Sequence, residues 1–544
     1  MTDSSVSRHS AWMALGTVVS RLTGFVRLYL LAYTIGSHLD ADLFNNANTI
    51  PNTLYILVAG GVFNVVLVPQ MVRAMKRDPD GGDAYVNRVI TLGLLVVALA
   101  TVVLVLAVPL ILHIVPGGQL FAPGNEQQYA SARLLMFLCM PQVFLYGSFV
   151  LLGQVLNARG VFGPMMWAPI ANNLVAVATL VTYLVVFGGS DGHDGFTTQQ
   201  GLLLGIGSTL GIATQAALLL PFLRRAGFHY RPRFDFRHTG LGHTLRLGAW
   251  TLGFIVANQV AYIVVQRLGI AATLQGAATG RPAAGSTVYE IGYLMSQLPH
   301  GVVTVSLATA VIPLLSSLAA DRQLDELGRE LQRVLRLVLA LVAPIATAAA
   351  VLGPSAVHAI AYGGVRANAT AIGWTLAAFA PGMIAFAVHY LMLRGFYAME
   401  NTRTPFLIQL AVAGTNIVAA VVFTSAVDAA HVSVALALAF GASYLVGATL
   451  SASLLPVSVL FTRDVGGFLG RLIACCAGTA LAMMAVLALL GASGVPTDTP
   501  GRALGVVALA GPIGAGSYLL LARALGVTEL ATVVSAMRRR PLSN

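Results

Sequence analysis

Charge is the scarcest thing in this chain. Of 544 residues, 9% are Asp, Glu, Lys or Arg and 57% are hydrophobic, with Lys76 the single lysine. Soluble domains carry about a quarter charged residues, so a water-soluble globular fold is excluded and a polytopic membrane protein remains. The lysine scarcity reads as a genomic bias towards Arg and Ala, not as chemistry. Cysteine is nearly absent too. Cys139, Cys475 and Cys476 fall in apolar segments, giving neither a disulfide framework nor metal-ligand spacing. No Walker sequence and no clustered His/Cys/carboxylate set occurs, and Gly205-Ile206-Gly207 lies within an apolar stretch, unlike a dinucleotide fingerprint. Loops are too short for an extramembrane catalytic domain and carry no paired acids, which disfavours a membrane glycosyltransferase or phosphatase. No enzyme, metal or cofactor is expected. The net charge of +11 belongs to short loops, so it speaks of membrane topology rather than nucleic acid.

What the chain does have is apolar stretches of spanning length. They fall at about 11–36, 42–72, 86–114, 130–157, 162–188, 200–223, 243–272, 286–318, 331–356, 370–397, 405–426, 431–461, 467–492 and 503–524. The expected fold is all-α, with about fourteen transmembrane helices. The first stretch carries Arg21 and Arg27 and lacks a small-residue cleavage pattern, so it is expected to stay as helix one rather than leave as a signal peptide. Arginines concentrate in alternate loops, from Arg73 and Arg88 through Arg159, Arg224, Arg225, Arg231 and Arg233 to Arg538-Arg539-Arg540. By the positive-inside rule both termini are cytoplasmic, which requires an even number of spans.

The longest basic link, around Arg224 to Arg246, is also aromatic and reads as a linker between two lobes. It is either a solvated connector or a segment lying along anionic lipid headgroups. Similar features recur after roughly six helices: Ile50-Pro51 and Val68-Pro69 answer Leu298-Pro299 and Ile312-Pro313. The expected organisation is an N-lobe over 1–223, a linker over 224–242, a C-lobe over 243–461, and two further helices with a short basic tail over 462–544. Interrupted helices at matching positions of two halves point to a transporter's central site.

Charged and polar residues inside spans default to function. At ~1.5 Å per residue, Arg21 sits near mid-membrane and Arg27 nearer the far side, about 120° apart around the helix. Their planar donor forks suit phosphate, and a buried anion site for a diphosphate is expected; for Arg27 the alternative is snorkelling to the interface. Gly24 between them permits bending or close helix approach. Helix two opens with Asp42, Asn45, Asn46, Asn48 and Asn52; Asn45, Asn48 and Asn52 share one face and either line a cavity with the arginines or bond neighbouring helices. Glu290, followed by Tyr293 and Gln297 at helical spacing, is either a gate pairing with Arg27 or an interfacial carboxylate in water. His389 is alone in its helix and reads as a packing residue.

Ser20-Arg21-x-x-Gly24-Phe25-x-Arg27, then Ala41-Asp42-x-Phe44, Ile50-Pro51-Asn52, Asn157-Ala158-Arg159-Gly160 and Phe396-Tyr397-Ala398 to Thr404-Pro405, resemble the MurJ/MviN lipid II flippases of the MOP exporter superfamily. That resemblance covers nearly the whole chain. It implies a V-shaped pair of six-helix lobes, MATE-like, around a cationic cavity, with two C-terminal helices forming a groove for a polyprenyl tail. By position, Arg21 and Arg27 match arginines expected to hold the diphosphate, and Asp42 the acid that begins helix two. Leu28, Tyr55 and Leu294 stand where the family often has charge, so Arg21 and Arg27 must carry more of the cavity here.

The resemblance thus implies an alternating-access flippase moving lipid II, the undecaprenyl-diphosphate-linked peptidoglycan precursor, outward across a bacterial plasma membrane. Its partners are lipid II and membrane lipids. Membrane potential is a candidate drive, worth ~2.3 kcal/mol per charge per 100 mV, with or without a coupled cation. The alternatives are a flippase for another polyprenyl-diphosphate oligosaccharide and a non-transporting scaffold that recruits cell-wall synthesis proteins. A cation-coupled drug antiporter should show carboxylates deep in its lobes, which this chain lacks.

Overall fold

The computed structural model describes residues 16, 19–20, 22–31, 33–35, 39–55, 82–114, 126–159, 161, 163–189, 195–235, 241–362, 364–399, 401–457, 459, 463–492 and 499–529. Those residues are helical almost throughout, as a bilayer requires: without water, a spanning segment must satisfy its own backbone, and a helix does so locally. Eleven helices among the described residues are long and apolar enough to cross a membrane. Three further positions complete the expected fourteen. They are α1 (Leu22–Ile35), α2 (Leu39–Tyr55), and a helix that the structure breaks in two, described below. Residues 56–81, with Asn64 and Val68-Pro69, lie outside the described residues.

By packing, the chain divides into two compact units, Met1–Ala278 and Thr279–Asn544. In the first, α3 (Asp83–Leu106) and α4 (Val108–Ile114) precede α5 (Glu126–Cys139) and α6 (Gln142–Ala158). After these come α7 (Gly163–Phe187), α8 (Thr198–Ala217), α9 (Leu219–Arg225) and the long α10 (Leu241–Thr279). Its core runs from Val86, Ile90 and Val97 on α3 to Leu151 and Val155 on α6, and takes in Ile270 and Leu274 of α10. A second cluster sets Leu31 and Ile35 of α1 against Leu180 and Tyr183 of α7.

In the second unit the expected interruption near Pro299 is present. The chain forms α11 (Ser286–Pro299), a π-helical turn at His300–Thr304, then α12 (Val305–Ala320). Proline has no N–H to give to the preceding turn, so the hydrogen-bond ladder loosens there. Next come α13 (Leu324–Ile360), α14 (Gly364–Ala367), α15 (Ala369–Ala398), α16 (Arg403–Ser425), α17 (Val432–Leu454), α18 (Arg463–Ala492) and α19 (Pro500–Ala524). α13 and α15 meet backbone to backbone: a Cβ on Gly353 would lie 2.7 Å from the Gly373 carbonyl oxygen, the close approach small residues give membrane helices. The last two helices pair and dock on α13 through Leu352, Met483 and Ala510, while the Tyr518 hydroxyl donates to the Ala340 carbonyl at 2.6 Å.

Candidate functional site

The span from Glu126 to Ala158 is apolar enough to cross the membrane, yet its helix breaks halfway, between Cys139 and Gln142. Pro141 is the cause, since it cannot donate to the turn before it. The Leu138 carbonyl at this break accepts instead from the Thr209 hydroxyl of α8, at 2.7 Å. Irregular backbone at membrane depth is tolerated where such side chains, or a cavity, satisfy it.

Around this break the first unit gathers its interior polar groups. Gln142 opens α6 completely buried, and its Nε2 donates to Asn48 Oδ1 and Thr209 Oγ1, both at 3.2 Å. Its Oε1 is buried without a hydrogen-bond partner among the described residues. Arg27 of α1 is half-buried, with its guanidinium in electrostatic reach of Tyr146 and Cys139, on either side of the break. No carboxylate among the described residues pairs with it. In the same unit, Asn173 of α7 donates to Thr23 Oγ1 at 3.0 Å and to the Ser20 carbonyl at 3.1 Å, which ties α1 to α7.

Cys139 and Tyr146 flank the middle of the Glu126–Ala158 span, so Arg27 lies beside that middle, away from the ends where an arginine snorkels easily. Gly24 proves less needed than expected. A Cβ there would lie 3.6 Å from Asn173 Nδ2, an ordinary contact, whereas at Gly16 it would lie 2.9 Å from the Trp167 ring. Arg21 lies outside the described residues.

The other expected site residues divide. Asn48 joins the cluster at the break. Asp42 is buried elsewhere on α2: it accepts a hydrogen bond from the Thr273 hydroxyl of α10 and lines a cavity with room for about one water, between Asn46, Leu112, Met136 and Ile270. Asn46 turns back to donate to the Asp42 carbonyl at 2.6 Å, a local bond within the helix. Asn45 is buried and Asn52 half-buried on α2. In the second unit, Glu290 and Gln297 are both half-buried on α11. Beside Glu290, Tyr289 and Tyr293 stack with ring centroids 6.2 Å apart, and Tyr293 packs on Phe379 and Phe440. His389 contacts Ser451 Oγ at 3.3 Å and the Tyr444 ring, as a packing residue would. Among the described residues no group of three or more His, Cys, Asp or Glu side chains could hold a metal ion.

Sequence reasoning missed Gln142, Tyr146, Asn173 and Thr209. The signal was present as Pro141-Gln142, a breaker followed by an amide in the middle of an apolar run. Asn173 and Thr209 gave no comparable signal, because single polar residues in spans are common and only packing shows which ones meet.

Comparison with known proteins bears on what this arrangement serves. A family model described as the lipid II flippase MurJ matches residues 31–501. The probable lipid II flippase MurJ of Haemophilus influenzae is 27% identical over 409 residues, covering 72% of this chain and 75% of that protein. That of Rhizobium meliloti is also 27% identical, over 74% of this chain and 72% of its own length. Among solved structures, a lipid II flippase MurJ in an inward closed conformation superposes with a TM-score of 0.70 at 17% identity, covering 94% of this chain and 97% of that one. An inward-facing multidrug MATE transporter of the MOP superfamily superposes with a TM-score of 0.62 at 12% identity, covering 85% and 98%.

Proposed function

The chain belongs to the MurJ lipid II flippase family, and we propose that it carries lipid II from the cytoplasmic to the outer leaflet of a bacterial plasma membrane by alternating access. The observation that carries this reading is Arg27: a guanidinium beside the middle of a broken span, with no carboxylate among the described residues to neutralise it. Holding an unpaired cation there is expensive, and a diphosphate is the kind of ligand that offsets the cost, since its oxygens accept the planar donor fork.

In this proposal Arg21 and Arg27 hold the diphosphate. Asn45, Asn48 and Asn52 line the path of the headgroup, and Asp42 fixes α2 against α10 through Thr273. Glu290 and Gln297 act as gate residues in the second unit. The N-lobe (1–223) and C-lobe (243–461) are the two repeats of this proposal, joined by 224–242, although α10 packs with the first compact unit. α18 and α19 carry the polyprenyl tail, a role that their apolar, exposed outer faces suit (Ile473, Leu481 and Leu520 among them). Both termini are cytoplasmic. The transport breaks no covalent bond and needs no cofactor, and a doubly anionic substrate would be driven outward by membrane potential at ~2.3 kcal/mol per charge per 100 mV.

The test is translocation of labelled lipid II by the purified chain in liposomes. Wild type translocates, while Arg21→Ala and Arg27→Ala lose the activity yet elute as folded protein. Full activity in both variants sinks the site assignment. In a validated assay, an inactive wild type points instead to a scaffold for cell-wall proteins, and faster movement of another polyprenyl-diphosphate sugar reassigns the substrate.

A further inference from the structure

After α9 the chain does not leave the first unit; it is strapped down. Gly227 adopts φ +75°, and the Gly227 and Phe228 N–H groups donate back to the Arg224 and Leu223 carbonyls at 3.0 and 2.9 Å. This is a glycine-terminated helix end, closed by two reversed bonds. Arg159, just past α6, fixes the turn from the other side. It pairs with Asp83, donates to the Ala226 carbonyl at 2.8 Å and lies over the ring of the buried Phe228, 5.3 Å from its centroid.

Residues 229–235 then run along the first turns of α3. The Arg231 N–H donates to Asn87 Oδ1 at 2.7 Å and the Arg233 N–H to Thr91 Oγ1 at 3.1 Å; the Tyr230 hydroxyl meets Thr91 Oγ1 at 3.1 Å. At the end, Arg88 grips Asp235 through both Nε and Nη2. Arg231 and Arg233 are thus bound through their backbone, while their side chains stand exposed on the surface. So do Tyr230, 42% exposed, and Phe234, 68% exposed.

The depth of the strap follows from α3. Its outward apolar face begins at Leu95 and continues through Leu99 and Val103, so lipid tails begin about one turn, ~6 Å, beyond Thr91. The strap therefore lies at the level where headgroups meet acyl chains. Two arginines anchored by their backbone at that depth, with an exposed tyrosine and phenylalanine beside them, combine the two features by which proteins hold an anionic membrane surface: basic charge near phosphate and aromatic rings at the interface. We propose that residues 229–235 form a pre-ordered binding strip for anionic phospholipid headgroups of the surrounding bilayer. Arg231 and Arg233 contact the phosphates and Phe234 dips into the acyl boundary. This rests on the chain spanning a membrane, not on which compound it transports.

The test releases the full chain from nanodiscs of mixed phosphatidylglycerol and phosphatidylcholine and counts retained lipids by native mass spectrometry, with no transport assay involved. Each arginine near an anionic surface contributes ~1 kcal/mol, so R231Q/R233Q is expected to lower the preference for phosphatidylglycerol roughly ten- to thirty-fold at low salt. Raising the salt should shrink the wild-type preference towards that of the variant. The control is R329Q/R333Q, which removes the same charge from exposed arginines of α13 that pair with Glu326 and Glu330, and should leave the preference unchanged. An unchanged preference in R231Q/R233Q overturns the proposal. So does an equal loss in the control pair, which would reduce the effect to net charge.

Discussion

Two arginines of the first unit show how differently one residue type can be provided for. Arg159, at the end of α6, has a carboxylate, a carbonyl and an aromatic face waiting for it in Asp83, Ala226 and Phe228. Arg27, near mid-span, has neutral groups nearby, Tyr146 and Cys139, and no carboxylate among the described residues. The deeper site is the one where a lone charge costs more. An arginine whose charge is answered by a carboxylate of the protein holds structure together. One with no carboxylate partner among the described residues, set beside the middle of a span, is in the proposal above the group kept for the diphosphate.

Arg27→Ala carries the largest expected effect. Lipid II translocation should fall at least ten-fold, while the melting temperature in detergent stays level or rises, because an uncompensated buried charge has gone. A large fall in melting temperature with no transport defect would invert the contrast. Arg159→Ala should do the opposite. Losing charge-assisted bonds that close both the α3–α6 contact and the turn after α9 should cost about 1.5–3 kcal/mol of stability, seen as a lower melting temperature, with transport per folded molecule retained. Gln142→Leu tests the break itself. It removes the two bonds to Asn48 and Thr209, each worth ~0.6 kcal/mol by the average for interhelical bonds in membranes, and should slow translocation several-fold with only a slight thermal effect. Unaltered transport would make Gln142 a packing residue.

The smallest effect concerns the strap. The Arg88 guanidinium, donating to Asp235, holds that carboxyl below its ordinary range. A depressed carboxylate stabilises the folded state above its unfolded pKa and loses the contribution as pH falls through the folded one. Amide exchange of residues 229–235, followed by mass spectrometry, should therefore be flat through neutral pH, once corrected for intrinsic rates, and rise only on acidification below the ordinary carboxylate range. Asp235→Asn should show the acid-like exchange at all pH values. A rise near pH 7 would place the clamp elsewhere.

Several of these features were legible in the residues themselves. Arg27 announced its cost because arginine is rare in an apolar run, and Pro299 announced the break now seen as the His300–Thr304 π turn. Pro141 carried the same message, but its span reads as one continuous helix by hydropathy, so the break and its amide passed unremarked. Arg159 read as a topology marker and as part of a family motif, without a structural role, because the partners that define that role come from positions 83, 226 and 228. Asp42 looked like a cavity neighbour of the arginines, and only packing revealed that its carboxylate is taken by Thr273, 231 positions away.

By itself, then, the sequence determined a fourteen-helix membrane protein with charge placed where a bilayer makes it costly, because transfer from water to hydrocarbon depends on side-chain composition and run length alone. Only the tertiary structure decided which charges and amides are answered. Partnership is a matter of distance between helices far apart in the chain, and hydropathy carries no record of it.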